Sequence, residues 1–253
     1  MEPNYEAVAE TGKKKKSKLP IVTVIIIIVC VVIGVGASIG VRTYNNAQRL
    51  AINDEITAIN QIIDVDYYEN VDRDALYSHL NNRVAGGKYA DVENASKEYI
   101  IDFHDDVFDT VDKINDDRLI NALSAENLAA DGPELTETKE YIAQLKAEVE
   151  AAKASCIEKS SAEAIASYAE KYGLKGETLD FYNEIMNISE NTESTSEYIN
   201  SLDKIINNLN TVEAALNLLS ENPDSWEVEG DTVYFSTQSL LDEYNAICAE
   251  ISE

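Results

Sequence analysis

The chain has 253 residues, 45% of them hydrophobic and 26% charged, and a formal net charge of −27 at pH 7. So acidic a protein repels phosphate backbones and anionic surfaces, which argues against a DNA- or RNA-binding role. Aliphatic and aromatic residues are nonetheless too plentiful for a disordered acidic tail, and their number suffices for a sizeable core in one domain or at most two.

Residues 1–18 form a basic tail in which Lys13, Lys14, Lys15, Lys16 and Lys18 stand against Glu2, Glu6 and Glu10. Five positive and three negative charges give the tail +2 and leave −29 for the remainder. Leu19–Val41 then runs without a charge. A hydrocarbon core about 30 Å thick needs roughly 20 apolar residues in a helix, and this run meets that length. Its β-branched centre, Val24 to Ile33, is a poor helix former in water. Lipid overrides that preference, because each backbone polar group must be bonded within the segment. Pro20 suits a first helical turn. Lysines before the run, with only Arg42 and Arg49 soon after it, put the tail in the cytoplasm and residues 42–253 outside the membrane. The competing reading is a cleaved secretory signal, for which Val35-Gly36-Ala37 is a fitting cleavage site. Against it, the apolar run exceeds the usual ~7–15 residues of a signal core. Gly36 and Gly40 stand in a GxxxG spacing, a candidate seam for a membrane-embedded homodimer, although small residues are common in membrane helices generally.

Beyond the anchor the pattern is helical. Ile52, Ile56, Ile59 and Ile63 are spaced 4-3-4, so residues 42–63 are expected to carry the membrane helix outward as a stalk. Leu76, Leu80 and Val84 predict a short helix over about Asp72–Val84, ended by Gly86-Gly87. Ile100, Phe103, Val107, Val111 and Ile114 predict a long one over about Tyr89–Asp117. Pro133 marks the first position of a helix running to about Glu158 on Ile142, Leu145, Val149, Ala152 and Cys156. Ser160 or Ser161 caps a helix that Gly173 stops, and Leu179–Ile188 reads as another. Tyr198, Leu202, Ile205, Leu209, Val212, Leu216 and Leu219 alternate 4-3 without a miss, the strongest seam in the chain, and Pro223 closes it. Residues 225–236 alternate in period two around Gly230-Asp231, a β-hairpin with Trp226 as its anchor. A last helix is expected over Thr237–Ile251, with Leu241, Tyr244, Cys248 and Ile251 on one face. The expected fold is therefore mostly α: one N-terminal transmembrane helix, then an extracytoplasmic antiparallel helical bundle with a small hairpin near the C-terminus.

Chemistry-bearing patterns are few. The carboxylates from Asp102 to Asp117 share helical faces and resemble a loose calcium stripe, but read better as a solvated face opposite the core. Asp64–Glu69 starts like a calcium loop, yet lacks glycine at the sixth position and has Ala75 at the twelfth. His79 and His104 have no zinc spacing around them, and a Cys156–His104 nucleophilic pair lacks support. Cys156 and Cys248 fall on apolar seams and read as buried thiols, with a bridge permitted outside the cell. Asn94 and Asn187 stand in glycosylation triplets. The tyrosines suit either a core rim or an interface. No catalytic, cofactor or metal site is expected. The leading expectation is a non-enzymatic, membrane-anchored module that binds an unknown protein partner or serves as a scaffold at the cell surface. The alternatives are a transmembrane sensor whose tail recruits a partner, and an ectoenzyme.

Overall fold

Ten helices and one two-stranded sheet are found among the residues that the computed structural model describes, 44–63, 70–186 and 188–251. The Leu19–Val41 run, the Gly36 and Gly40 pair, the basic tail, Asp64–Glu69 and Asn187 lie outside these residues. No helix among the described residues is long and apolar enough to cross a membrane. The elements are α1 (Tyr44–Ile63), α2 (Arg73–Asn81), α3 (Lys88–Ile114), α4 (Asp117–Ile120), α5 (Ala125–Asp131) and α6 (Thr136–Lys159). They continue as α7 (Ala162–Lys171), α8 (Glu177–Met186), α9 (Ile188–Glu221), β1 (Trp226–Glu229), β2 (Thr232–Phe235) and α10 (Gln238–Cys248). The protein is thus mostly helical with a small antiparallel sheet near its C-terminus.

The described chain divides into two compact units. The first takes residues 44–111 and 152–201, the second residues 112–151 and 202–251, and α3, α6 and α9 contribute to both.

In the first unit the isoleucine face of α1 is fully packed: Ile52, Ile56 and Ile59 are sealed from solvent and Ile63 nearly so. Within this stretch α1 is therefore part of the unit's core and packs against α2. Leu76 and Leu80 of α2, Tyr99, Ile100 and Phe103 of α3, Ile165 of α7 and Phe181 and Ile185 of α8 complete that core. Ser161 caps α7, its side chain accepting the Ala164 N–H, and Gly173 at φ 66° follows the helix end, both as the sequence predicts. The helix expected at Leu179–Ile188 begins two residues earlier, at Glu177.

In the second unit every apolar residue of the α9 seam that falls there, Leu202 through Leu219, is buried, as are Ile142, Leu145 and Val149 of α6. The hairpin has the expected register, Trp226 opposite Phe235 and Glu229 opposite Thr232, with Gly230 at φ 61° opening its two-residue turn. Trp226 ties it down by donating its indole N–H to the Leu219 carbonyl at 2.9 Å. The strands also pack locally, β1 on α5 and β2 on α10.

Other helix ends also differ from expectation, α10 among them, which stops at Cys248 and not Ile251. Helix α2 stops at Asn81, short of Val84, where the Lys97 side chain takes the carbonyls of His79 and Asn82. Helix α6 starts at Thr136, three residues after Pro133. The Asp131 carboxylate caps it from before the turn, accepting the N–H groups of Glu137 and Thr138, and Leu135 between them has φ 51°. Helix α3 ends at Ile114, short of Asp117, and the short α4 and α5 lie between it and α6, where the spacing predicts no element. Asp116 and Ser124 cap them.

Candidate functional site

Extending the 4-3 spacing of α3 backward from Ile100 lands on Lys97 and Glu93, so two charged residues occupy positions that the pattern assigns to the core. Both are buried, at 4% and 1% exposure, and Glu55 of α1 joins them at 7%. The Lys97 ammonium donates to Glu93 Oε1 at 2.8 Å, Glu55 Oε1 at 3.2 Å and the carbonyls of His79 and Asn82 at 2.8 Å each. Four acceptors for three N–H groups leave no donor idle. The Glu93 carboxylate accepts the backbone N–H groups of Val84 and Ala85, and Gln48 of α1 accepts that of Gly86. His79 Nδ1 lies 3.2 Å from Glu55 Oε2. Burial pushes the Glu55 carboxyl toward protonation, but the bonds from His79 and Lys97 outweigh it and hold the group below its ordinary range.

Such a cluster is expensive to desolvate, and its members persist only because each is paired and hydrogen-bonded. A lysine saturated in this way has no lone pair to offer as a nucleophile or base. What the arrangement does is mechanical: it caps the C-terminus of α2 with a buried cation, and it fixes the α2–α3 connection to α1 and α3. Beside it, Tyr77, Ser78, His79, Asn81 and Asn82 line an open groove of about 460 Å³.

Of the aspartate stripe, Asp105, Asp109, Asp112, Asp116 and Asp117 are exposed, as a solvated face requires, and Asp102 and Asp106 are half-buried. Asp102 accepts the Tyr168 hydroxyl at 2.8 Å, and Asp106 accepts from Ser155 and Lys159 at 2.6 Å each. Asp105 accepts from Tyr77. These carboxylates join α3 to α2, α6 and α7. Two further tyrosines do the same work, Tyr89 on Glu177 and Tyr172 on Glu98. Among the described residues no group of three or more His, Cys, Asp or Glu side chains is arranged to hold a metal ion.

His104 is buried between the rings of Phe103 and Phe108, where loss of solvent pushes its pKa down to about 3. Burial, helped by the Asp106 charge, pushes the Cys156 thiol up to about 12. A thiolate–imidazolium pair requires the opposite shifts. Cys156 and Cys248 are free thiols; Cys156 is buried, whereas Cys248 is only partly covered because α10 ends there. Its helix also leaves Tyr244 and Ile251 half-buried, so only the Leu241 end of the expected face is sealed.

The sequence pattern misses the Lys97 cluster because spacing identifies which positions face inward but not which polar residues have partners there. The available signal is Glu93 and Lys97 at i and i+4 on a core-facing row. No family model matches the chain, and neither a curated protein nor a solved structure does.

Proposed function

We propose that the protein is a membrane-anchored, extracytoplasmic helical module that acts at the cell surface as a scaffold or partner-binding protein, without enzymatic activity. The charge-free run Leu19–Val41 behind five lysines supports the anchor and its orientation. The observation that carries the scaffold role is how the polar side chains are used. Tyr77, Tyr89 and Tyr168, Asp102, Asp105 and Asp106, and the buried Lys97 are engaged in bonds between helices. Among the described residues the large hydrophobic side chains left exposed are Leu50 and Ile157. That favours a partner recognised by polar and charged contacts over one docked on an apolar patch.

Protease treatment of intact cells tests the placement: the reading expects residues beyond 42 to be digested, and protection of the C-terminal portion overturns it. Crosslinking on intact cells with mass spectrometry then identifies a partner of the exposed domain. A sensor role is a second reading, favoured by one observation. Gln48, Arg49 and Glu55 tie α1, the first described helix after the apolar run, to Gly86, Glu184 and Lys97. Deleting residues 2–12 should abolish signalling on this reading, and an unchanged phenotype would remove it.

A further inference from the structure

We infer that α2 and the turn after it, residues 73–86, form a strap that lifts from the first unit as a separate step, with the Lys97 tie as its latch. The inference concerns the fold's own opening and does not depend on the membrane anchor.

The strap is held in two different ways. Its apolar hold is small for its length: Leu76, Leu80 and Ala85 are its buried hydrophobic residues. Its polar hold is dense. Five backbone groups within eight residues, the carbonyls of His79 and Asn82 and the N–H groups of Val84, Ala85 and Gly86, are bound by side chains of α1 and α3. Tyr77 on Asp105, His79 on Glu55 and Arg73 over the Phe108 ring, 4.3 Å from its centroid, add ties at the rim.

These two kinds of hold respond differently to water. Separating an apolar seam exposes hydrocarbon and gains nothing from the solvent. Opening the latch hydrates one ammonium and two carboxylates that are costly to keep dry, and water replaces every backbone bond it breaks. The opening free energy of the strap therefore falls below that of the α8 seam of the same unit. Gly87 at φ 58°, with open space around it, supplies the pivot. Because α2 packs on α1, lifting it uncovers part of the Ile52–Ile63 face, an apolar surface that the closed form does not present.

Hydrogen exchange read by mass spectrometry on the full-length chain in mild detergent tests this. In the unaltered protein, amides of residues 73–86 should exchange through opening faster than those of α8. Lys97→Met should raise exchange over 73–86 by roughly tenfold or more and leave α8 unchanged. Should that variant not fold, Glu55→Gln removes one charge, keeps the shape and is read in the same way. Equal protection of the strap and α8 in the unaltered chain overturns the inference. So does a rise spread evenly over the unit, or no rise over 73–86.

Discussion

His104 shows what one buried side chain does to the acid side of the stability curve. Its folded pKa, about 3, lies below the ordinary value of 6.5, so the unfolded chain binds a proton that the folded chain refuses. Its contribution is complete above pH 6.5 and is lost as pH falls toward 3, at about 1.4 kcal/mol per pH unit while the two states differ by one proton. His104→Gln should flatten the denaturant midpoint across that window, and an unchanged slope would show that the imidazole charges within the fold. Glu55 acts in the same direction further into acid, since its lowered pKa is a stabilisation that protonation removes. Neither effect is legible in the sequence. Spacing puts position 104 beside Phe103 on a core-facing row, but only packing decides that the ring is closed in. Leu135 makes the same point for the backbone: a bulky residue at φ 51° is an outlier by local sterics. Full burial of its side chain, a stabilisation of about 1.5–3 kcal/mol, is what outweighs that cost.

At the scale of elements, the agreement with the sequence is best where apolar periodicity is long. The α9 seam, the α3 core row and the hairpin register all follow the pattern, because each needs only a period and a terminator. The misses cluster at ends. Helix α2 stops where the ammonium of Lys97, from another helix, takes backbone carbonyls, and α6 starts where Asp131 reaches across the preceding turn; apolar spacing records neither partner. Helices α4 and α5 are too short for periodicity to register. The hairpin offers a clean test of an anchor at this scale, since isolated two-stranded sheets are marginal. Trp226→Phe removes the indole N–H bonded to Leu219 while keeping a ring, and should cost about 0.5–1.5 kcal/mol. Exchange protection should fall over β1 and β2 but not over α9. Loss of protection along α9 as well would show that the hairpin supports the helix rather than leaning on it.

Over the whole chain, charge sets the terms. A net charge of −27 makes long-range self-repulsion large, while pairs such as Arg49–Glu184, Lys113–Glu148 and Lys146–Glu213 are partly exposed and individually worth little. Raising salt from low to physiological strength should therefore raise Tm, because screening relieves repulsion more than it weakens these pairs. A fall in Tm would mean that the attractive pairs dominate. The mostly helical class and the small C-terminal sheet were legible from periodicity alone. The Lys97 cluster was not, because it joins residues from three helices that only the folded chain brings together.

The tyrosine–carboxylate contacts described above also set a ceiling in alkali. Carrying a second negative charge next to a glutamate or aspartate is unfavourable. Burial and the neighbouring carboxylates accordingly push Tyr77 and Tyr89 up to about 12, from an ordinary 10, and the Glu98 bond with burial does the same for Tyr172. Their stabilisation is intact below pH 10 and drains away as pH climbs toward 12. Between pH 10 and 12 ellipticity should fall as phenolate absorbance rises, and ellipticity unchanged through that range would show that these contacts hold without their protons.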